Sequence, residues 1–338
     1  MSPPRCNHAG PHLKAAGFEK GVPRPTVYLS SLISNHNPTL QRLMAQMRKQ
    51  PGRHYRLTNR LQDAEIIFFV ENGYFGLESL TRLRAIKKEA PGAECFVFSE
   101  SDWPFAYIPG LYCSLARRLP WAFSWSYLLD NESEPATGSD CDQRFLFSFI
   151  GRVATHPVRR TVLGLDGPNT PCIDIGGTPA RFPDWDYARS YSQILSRSHF
   201  VLCPRGIGTS SVRLFEAMRA GRVPVIISDA WIVPPVGDWP RFSIRVTEDA
   251  VARIPQICEQ HLNSAASMGD LARQTYDAYF SPPRFLDSAL NVLRGAPRGS
   301  PSVCSAKLVR NAARAVSGRE IRTVAHRLLN TFRARTSV

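Results

Sequence analysis

Short, nearly unbroken apolar runs set between amphipathic stretches restrict this chain more than any other feature. Residues 66–70 (IIFFV), 95–99 (CFVFS), 199–203 (HFVLC) and 223–227 (VPVII) do not alternate apolar with polar side chains. Strands of that kind are buried on both faces, as in parallel sheets covered by helices. Between them, residues 39–50, 77–90, 184–198 and 211–220 read as helices, and Pro51-Gly52, Pro91-Gly92 and Gly221 stop three of these. Strand–helix alternation fills the first hundred residues and begins again at 145–150, with 159–165, 242–246, 269–279 and 284–293 completing a second series. The pattern predicts two parallel α/β units, with a ligand cleft between them. The polar, acidic segment 130–142 (DNESEPATGSDCD) reads as their linker. The expected division is a flexible N-terminus at 1–24, units at 25–135 and 140–295, and a basic helical tail at 296–338.

The 338 residues are enough for two such units without staples. The eight cysteines are scattered and lack a C-x-x-C pair, which excludes a zinc ribbon and a disulfide framework. No run approaches the ~18 apolar residues of a membrane span. The first twenty residues hold no apolar stretch, so no export leader is expected and the expected location is cytoplasmic. The net charge of +14 is uneven: residues 291–338 hold ten of the 42 Lys and Arg and a single acid, Glu320. A basic tail on a balanced body suits peripheral contact with an anionic membrane at the inner face, while a solvated helix face stays open as the plainer reading. No specific nucleic acid is expected.

The most informative segment is 201–229, VLCPRGIGTSSVRLFEAMRAGRVPVIISD. A buried strand ends at Cys203. Pro204-Arg205-Gly206-Ile207-Gly208 makes a loop, and Thr209, Ser210 and Ser211 offer N-cap side chains to the helix that follows. Free backbone N–H groups and the helix dipole favour an anion there. Arg205 adds a permanently charged fork suited to phosphate. The loop matches neither the G-x-G-x-x-G dinucleotide pattern nor a phosphate loop ending in G-K-S/T. The residues alone therefore give a phosphate or nucleotide site, with an Arg213–Glu216 surface pair as the plain alternative for those two side chains.

The same segment resembles the exostosin family of glycosyltransferases. The resemblance rests on Cys203-Pro204-Arg205-Gly206, Ser211-Val212-Arg213-Leu214-Phe215-Glu216-Ala217, Gly221 and 224–229 (PVIISD), with 147–151 (FSFIG) and Arg159 upstream. It spans roughly residues 26–260, and 64–70 and 98–102 look like bacterial members. It implies a GT-B architecture, two Rossmann-like domains facing across a cleft. It also implies inverting transfer of a sugar from a nucleotide-sugar, most simply a UDP-sugar, to a cell-surface glycan or lipid-linked oligosaccharide. By the same resemblance Arg205 and Gly206 contact the diphosphate, Ser210 or Ser211 donates to phosphate, Arg159 lies near the donor, and Arg213 and Glu216 belong to the nucleotide site, Glu216 at the ribose. A nucleotide-sugar epimerase and a non-catalytic glycan- or nucleotide-binding protein of the same fold remain alternatives, because fold alone does not fix a reaction.

Inverting transfer needs a base for the acceptor hydroxyl and positive charge at the leaving diphosphate. Asp102 or Glu100, directly after a buried strand, is the expected base, with His36 and Glu71 as other candidates. Trp103, Phe105, Tyr107, Trp121 and Trp125 suggest a sugar-stacking platform. Two D-x-D patterns, at 140–142 and 184–186, read as linker and helix start, so neither a metal nor another cofactor is expected beyond the nucleotide-sugar itself.

Overall fold

The fold is taken from a computed structural model, which describes residues 24–34, 36–73, 75–129, 144–176 and 187–295. The expected N-terminal segment, linker, tail and both D-x-D patterns lie outside the described residues. The first unit runs β1 (Thr26–Ser30), α1 (Pro38–Lys49), β2 (Arg56–Leu57), β3 (Ile66–Glu71), α2 (Leu77–Glu89), β4 (Glu94–Ser99), β5 (Gly110–Tyr112) and β6 (Ala122–Ser124). Its strands are all parallel, in the order β2-β1-β3-β4-β5-β6. Every residue of β3 is buried, as its apolar run requires. Helix α1 starts where Asn37 accepts from the N–H groups of Thr39 (3.0 Å) and Leu40 (3.3 Å), with Pro38 in the first turn.

The second unit runs β7 (Phe145–Gly151), α3 (Pro157–Leu163), β8 (Cys172–Asp174), α4 (Tyr187–Ser196), β9 (Ser198–Pro204), α5 (Val212–Arg219), β10 (Val223–Ile227), α6 (Trp239–Phe242), β11 (Ile244–Val246), α7 (Ile254–His261), α8 (Ala265–Tyr279) and α9 (Pro282–Arg294). Its sheet is also parallel, in the order β11-β10-β9-β7-β8. Gly221, at φ 68°, ends α5 in the left-handed region that glycine reaches without strain. Two parallel sheets flanked by helices are the two α/β units expected from the sequence. Cys95 and Cys203 are buried core thiols.

One helix departs from the expected division. α9 follows the second unit in the chain but packs on the first. Phe285 meets Phe98 edge-on at 5.0 Å and Trp125 at 6.5 Å. Buried Asp287 accepts from the backbone N–H groups of Arg53 and His54, each at 3.1 Å. The apolar face of α9 is buried against α1 and β5 of the first unit as well as against the preceding helix, α8.

The units share one core. Ring contacts run from Phe98 through Phe285, Trp125 and Phe280 to Phe215 on α5, then to Trp231 and Trp239. Beside this core, Trp231 Nε1 donates to the Cys113 carbonyl (3.0 Å) and the Ile232 N–H to the Leu115 carbonyl (3.2 Å). A large apolar interface of this kind holds two units in one relative position. It also corrects the stacking-platform expectation. Phe105, Tyr107 and Trp125 are buried core rings, Trp121 packs on the apolar cluster behind the first sheet, and Trp103 leans edge-on against Phe105 at 5.3 Å.

Candidate functional site

The carboxyl ends of β4 and β5 meet those of β9 and β10. The sequence-predicted loop lies at this junction. From Arg205 to Ser211 it links β9 to α5, and the Arg205 N–H is tied to the Ile227 carbonyl at 3.0 Å. Arg159, buried on α3, holds the loop from behind. Its Nε donates to the Arg205 carbonyl (2.9 Å), its Nη2 to that of Pro204 (3.2 Å) and its Nη1 to that of Arg152 (3.1 Å). Arg159 thus shapes the loop through three backbone carbonyls. Arg213, also buried, lies over the Phe149 ring (5.1 Å) and near Tyr191 (6.0 Å), so it is not half of a surface pair. Burial, reinforced by the charge of Arg213, brings the Arg159 guanidinium down to about 10. Two buried cations side by side favour an anion between or beside them.

The loop itself is lined by unsatisfied donors. Thr209, Ser210 and Ser211 are buried, and none of their hydroxyls has a hydrogen-bond partner. Ser211 is the N-cap of α5, yet its side chain makes no capping bond. Arg205 is half-buried, with an unpartnered Nε and a long ion pair, 3.8 Å, to Glu248. Glu216 accepts from the Tyr191 hydroxyl on α4. Gly206 and Gly208 have negative φ, so they are needed for close approach and not for left-handed backbone. A Cβ on Gly206 would stand 3.1 Å from Arg159 Nη2, and one on Gly208 would overlap Ser114 Oγ and stand 2.7 Å from Asp102 Oδ1.

The first unit brings Asp102 and Ser114 to this loop. Asp102 Oδ1 accepts from the Gly208 N–H at 3.0 Å. Ser114, fully buried, points its hydroxyl at the same glycine. Glu100 takes a different course from Asp102. Its carboxylate binds Thr39 Oγ1 (2.8 Å), Arg42 Nη2 (2.9 Å) and the Leu128 N–H (2.5 Å), so it fastens α1 to the segment after β6. Glu71 is wholly buried and accepts from Ser31 Oγ (2.9 Å), the Leu32 N–H and Asn37 Nδ2 (3.4 Å). It organises the turn after β1 and is closed to a substrate. His36 lies in that turn, its N–H bonded to Ser34 Oγ.

Burial lifts the Glu71 carboxyl from 4.5 to about 7, against the pull of its hydrogen bonds and of Arg82. The folded chain therefore holds this proton more tightly than the unfolded chain. The resulting stability is full below the unfolded value and is lost as pH rises through about 7. Thermal melts from pH 5.5 to 8 are expected to show a loss of stability in the native chain that is smaller in Glu71→Gln; parallel profiles would remove this role.

The sequence pointed to Arg159, Arg205, Gly206, Ser210, Ser211, Arg213 and Glu216, and the structure brings all of them around one loop and the helix it opens. It gave no sign of Ser114, Tyr191, Glu248 or Arg245, whose Nη2 donates to the carbonyls of Ser228 (2.8 Å) and Trp231 (2.7 Å) and so fixes the Trp231 turn. Among the described residues no cluster of three or more His, Cys, Asp or Glu side chains is placed to hold a metal. No described helix is long and apolar enough to cross a membrane.

Exostosin-1 homolog of Caenorhabditis elegans is 38% identical over 92 residues, covering 26% of this chain and 24% of that protein. Exostosin-2 of Bos taurus is 31% identical over 164 residues, covering 43% of this chain and 22% of that protein. The chain thus matches about a quarter or less of the length of these relatives. Among solved structures, Anabaena Alr3699/HepE in complex with UDP-glucose aligns with 80% of this chain and 99% of its own, at 9% identity and a TM-score of 0.44. The Exostosin GT47 domain matches residues 124–261, which include the loop, Arg159, α5 and the Trp231 turn. Over residues 124–261 this chain is therefore similar to the exostosin GT47 domain, as the exostosin relatives also indicate.

Proposed function

We propose that this chain is an inverting glycosyltransferase that moves a sugar from a UDP-sugar to a cell-surface glycan or lipid-linked oligosaccharide. The observation that carries the reading is the run of three buried, unpartnered hydroxyls, Thr209, Ser210 and Ser211, beside Arg205 and backed by Arg159 and Arg213. A buried hydroxyl without a partner costs about 1–3 kcal/mol. A diphosphate supplies the acceptors that such a row lacks, and the surrounding guanidiniums supply its counter-charge. Arg205 and the loop stabilise the departing diphosphate, Arg159 holds the loop in shape, and Glu216 serves the ribose. Asp102 takes the acceptor proton as the acceptor oxygen forms its bond to the anomeric carbon and the bond to phosphate breaks. With cationic side chains at the leaving group, the reaction needs no metal. The enzyme works in the cytoplasm, and its basic tail touches the anionic inner membrane face. Flotation with anionic liposomes would show this as binding lost on deletion of residues 296–338.

The deciding test is incubation with UDP-sugars, with and without glycan acceptors, followed by product analysis. Release of UDP coupled to an acceptor extended by one inverted sugar supports the reading. A sugar altered while still joined to UDP, or released UDP without transfer, would replace it with an epimerase; tight UDP binding without turnover would leave a binding protein.

A further inference from the structure

The Gly208 N–H belongs to the proposed diphosphate loop, yet it is already occupied. Its acceptor is a carboxylate from the other unit, Asp102 Oδ1 at 3.0 Å. A carboxylate has the charge and hydrogen-bonding character of a phosphate edge, and the charge of Asp102 acts on buried Arg159 behind the same loop. The hydroxyls that follow, on Thr209, Ser210 and Ser211, remain unpartnered, so the carboxylate fills one end of the seat and leaves the rest unsatisfied. The Trp231–Cys113 and Ile232–Leu115 hydrogen bonds and the shared aromatic core join the two units beside this contact.

We infer that Asp102 is a built-in competitor for the donor diphosphate, seated on the Gly208 N–H until the donor displaces it. The inference rests on the donor site proposed above. When a phosphate oxygen takes over that N–H, the two negative groups repel and the Asp102 side chain turns out of the seat. Only then does its carboxylate face an acceptor hydroxyl. Donor binding therefore precedes acceptor binding, and the base is exposed only when a donor is present. No bond is made or broken in this exchange; one hydrogen-bond acceptor replaces another.

The test is calorimetric titration of UDP into the full chain and into Asp102→Asn, Asp102→Ala and Arg205→Ala. Loss of a seated charge is expected to tighten UDP binding in both Asp102 variants by about tenfold or more. In transfer assays Asp102→Asn is expected to lower the donor KM and kcat together, which a purely structural role would not do. Unchanged or weaker UDP binding in both Asp102 variants, with native binding still sensitive to Arg205→Ala, would overturn the competitor and leave the donor site standing. No UDP binding by the native chain, or binding indifferent to Arg205→Ala, would overturn the donor site and the competitor together. The near-isosteric Asp102→Asn guards against misfolding, and an unchanged melting curve identifies it as a fair comparison.

Discussion

Arg205→Ala is expected to lower sugar transfer by about 100- to 1,000-fold, the usual cost of removing one preorganised donor to a developing anion. Arg205 is the one guanidinium of the cluster that is half-open to the loop; Arg159 is consumed by three backbone carbonyls and Arg213 is stacked on Phe149. Its ion pair to Glu248, at 3.8 Å, is long enough to yield to a phosphate. Because the charge matters most when the diphosphate leaves, kcat is expected to fall more than donor affinity. Arg205→Lys restores a point charge without the planar fork, so partial recovery is expected. Steady-state kinetics with donor varied at saturating acceptor separates these effects. An Arg205→Ala enzyme with native kcat would place the leaving group elsewhere.

Phe215→Ala is expected to cost about 3–5 kcal/mol of stability, a large share of what a domain of ordinary stability possesses. Phe215 is fully buried and meets Tyr127 (6.4 Å) from the first unit as well as Trp231 (6.4 Å), Trp239 (6.4 Å) and Phe280 (5.3 Å). Truncation opens a cavity at the point where the two units join. Urea unfolding followed by tryptophan fluorescence is therefore expected to remain a single transition, displaced to lower urea. Phe147, equally buried but confined to the core of the second sheet, is the comparison. If Phe215→Ala splits the transition and Phe147→Ala does not, the junction is a weak seam and not a shared core.

Much of this was legible in the chain. The expected strand at 223–227 is β10 residue for residue, because a strand buried on both faces announces itself by an unbroken apolar run. β5 and β6 were not legible. Each has three residues, Gly110–Tyr112 and Ala122–Ser124, and is a strand because its neighbour offers it an edge, β4 to β5 and β5 to β6. The amphipathic pattern of α9 showed that it had a face to bury but not which sheet would bury it. At the site, the glycine loop and its arginines lie close together in sequence and were found as a group. Asp102 was singled out only as a carboxylate after a strand, and its bond to Gly208 spans 106 positions. Ser114 left no trace, since a serine at a strand end carries no pattern until the fold aims it.

The return of α9 has a consequence for synthesis. The ribosome completes the first sheet long before it makes the helix that covers Phe98 and Trp125. The 160 residues from Trp125 to Phe285 take about 8–32 s at ordinary elongation rates. Through that interval the newborn first unit carries a bare aromatic face and an unmet pair of backbone donors at Arg53 and His54. Apolar surface left open through this wait is prone to aggregation in a way that the finished fold is not.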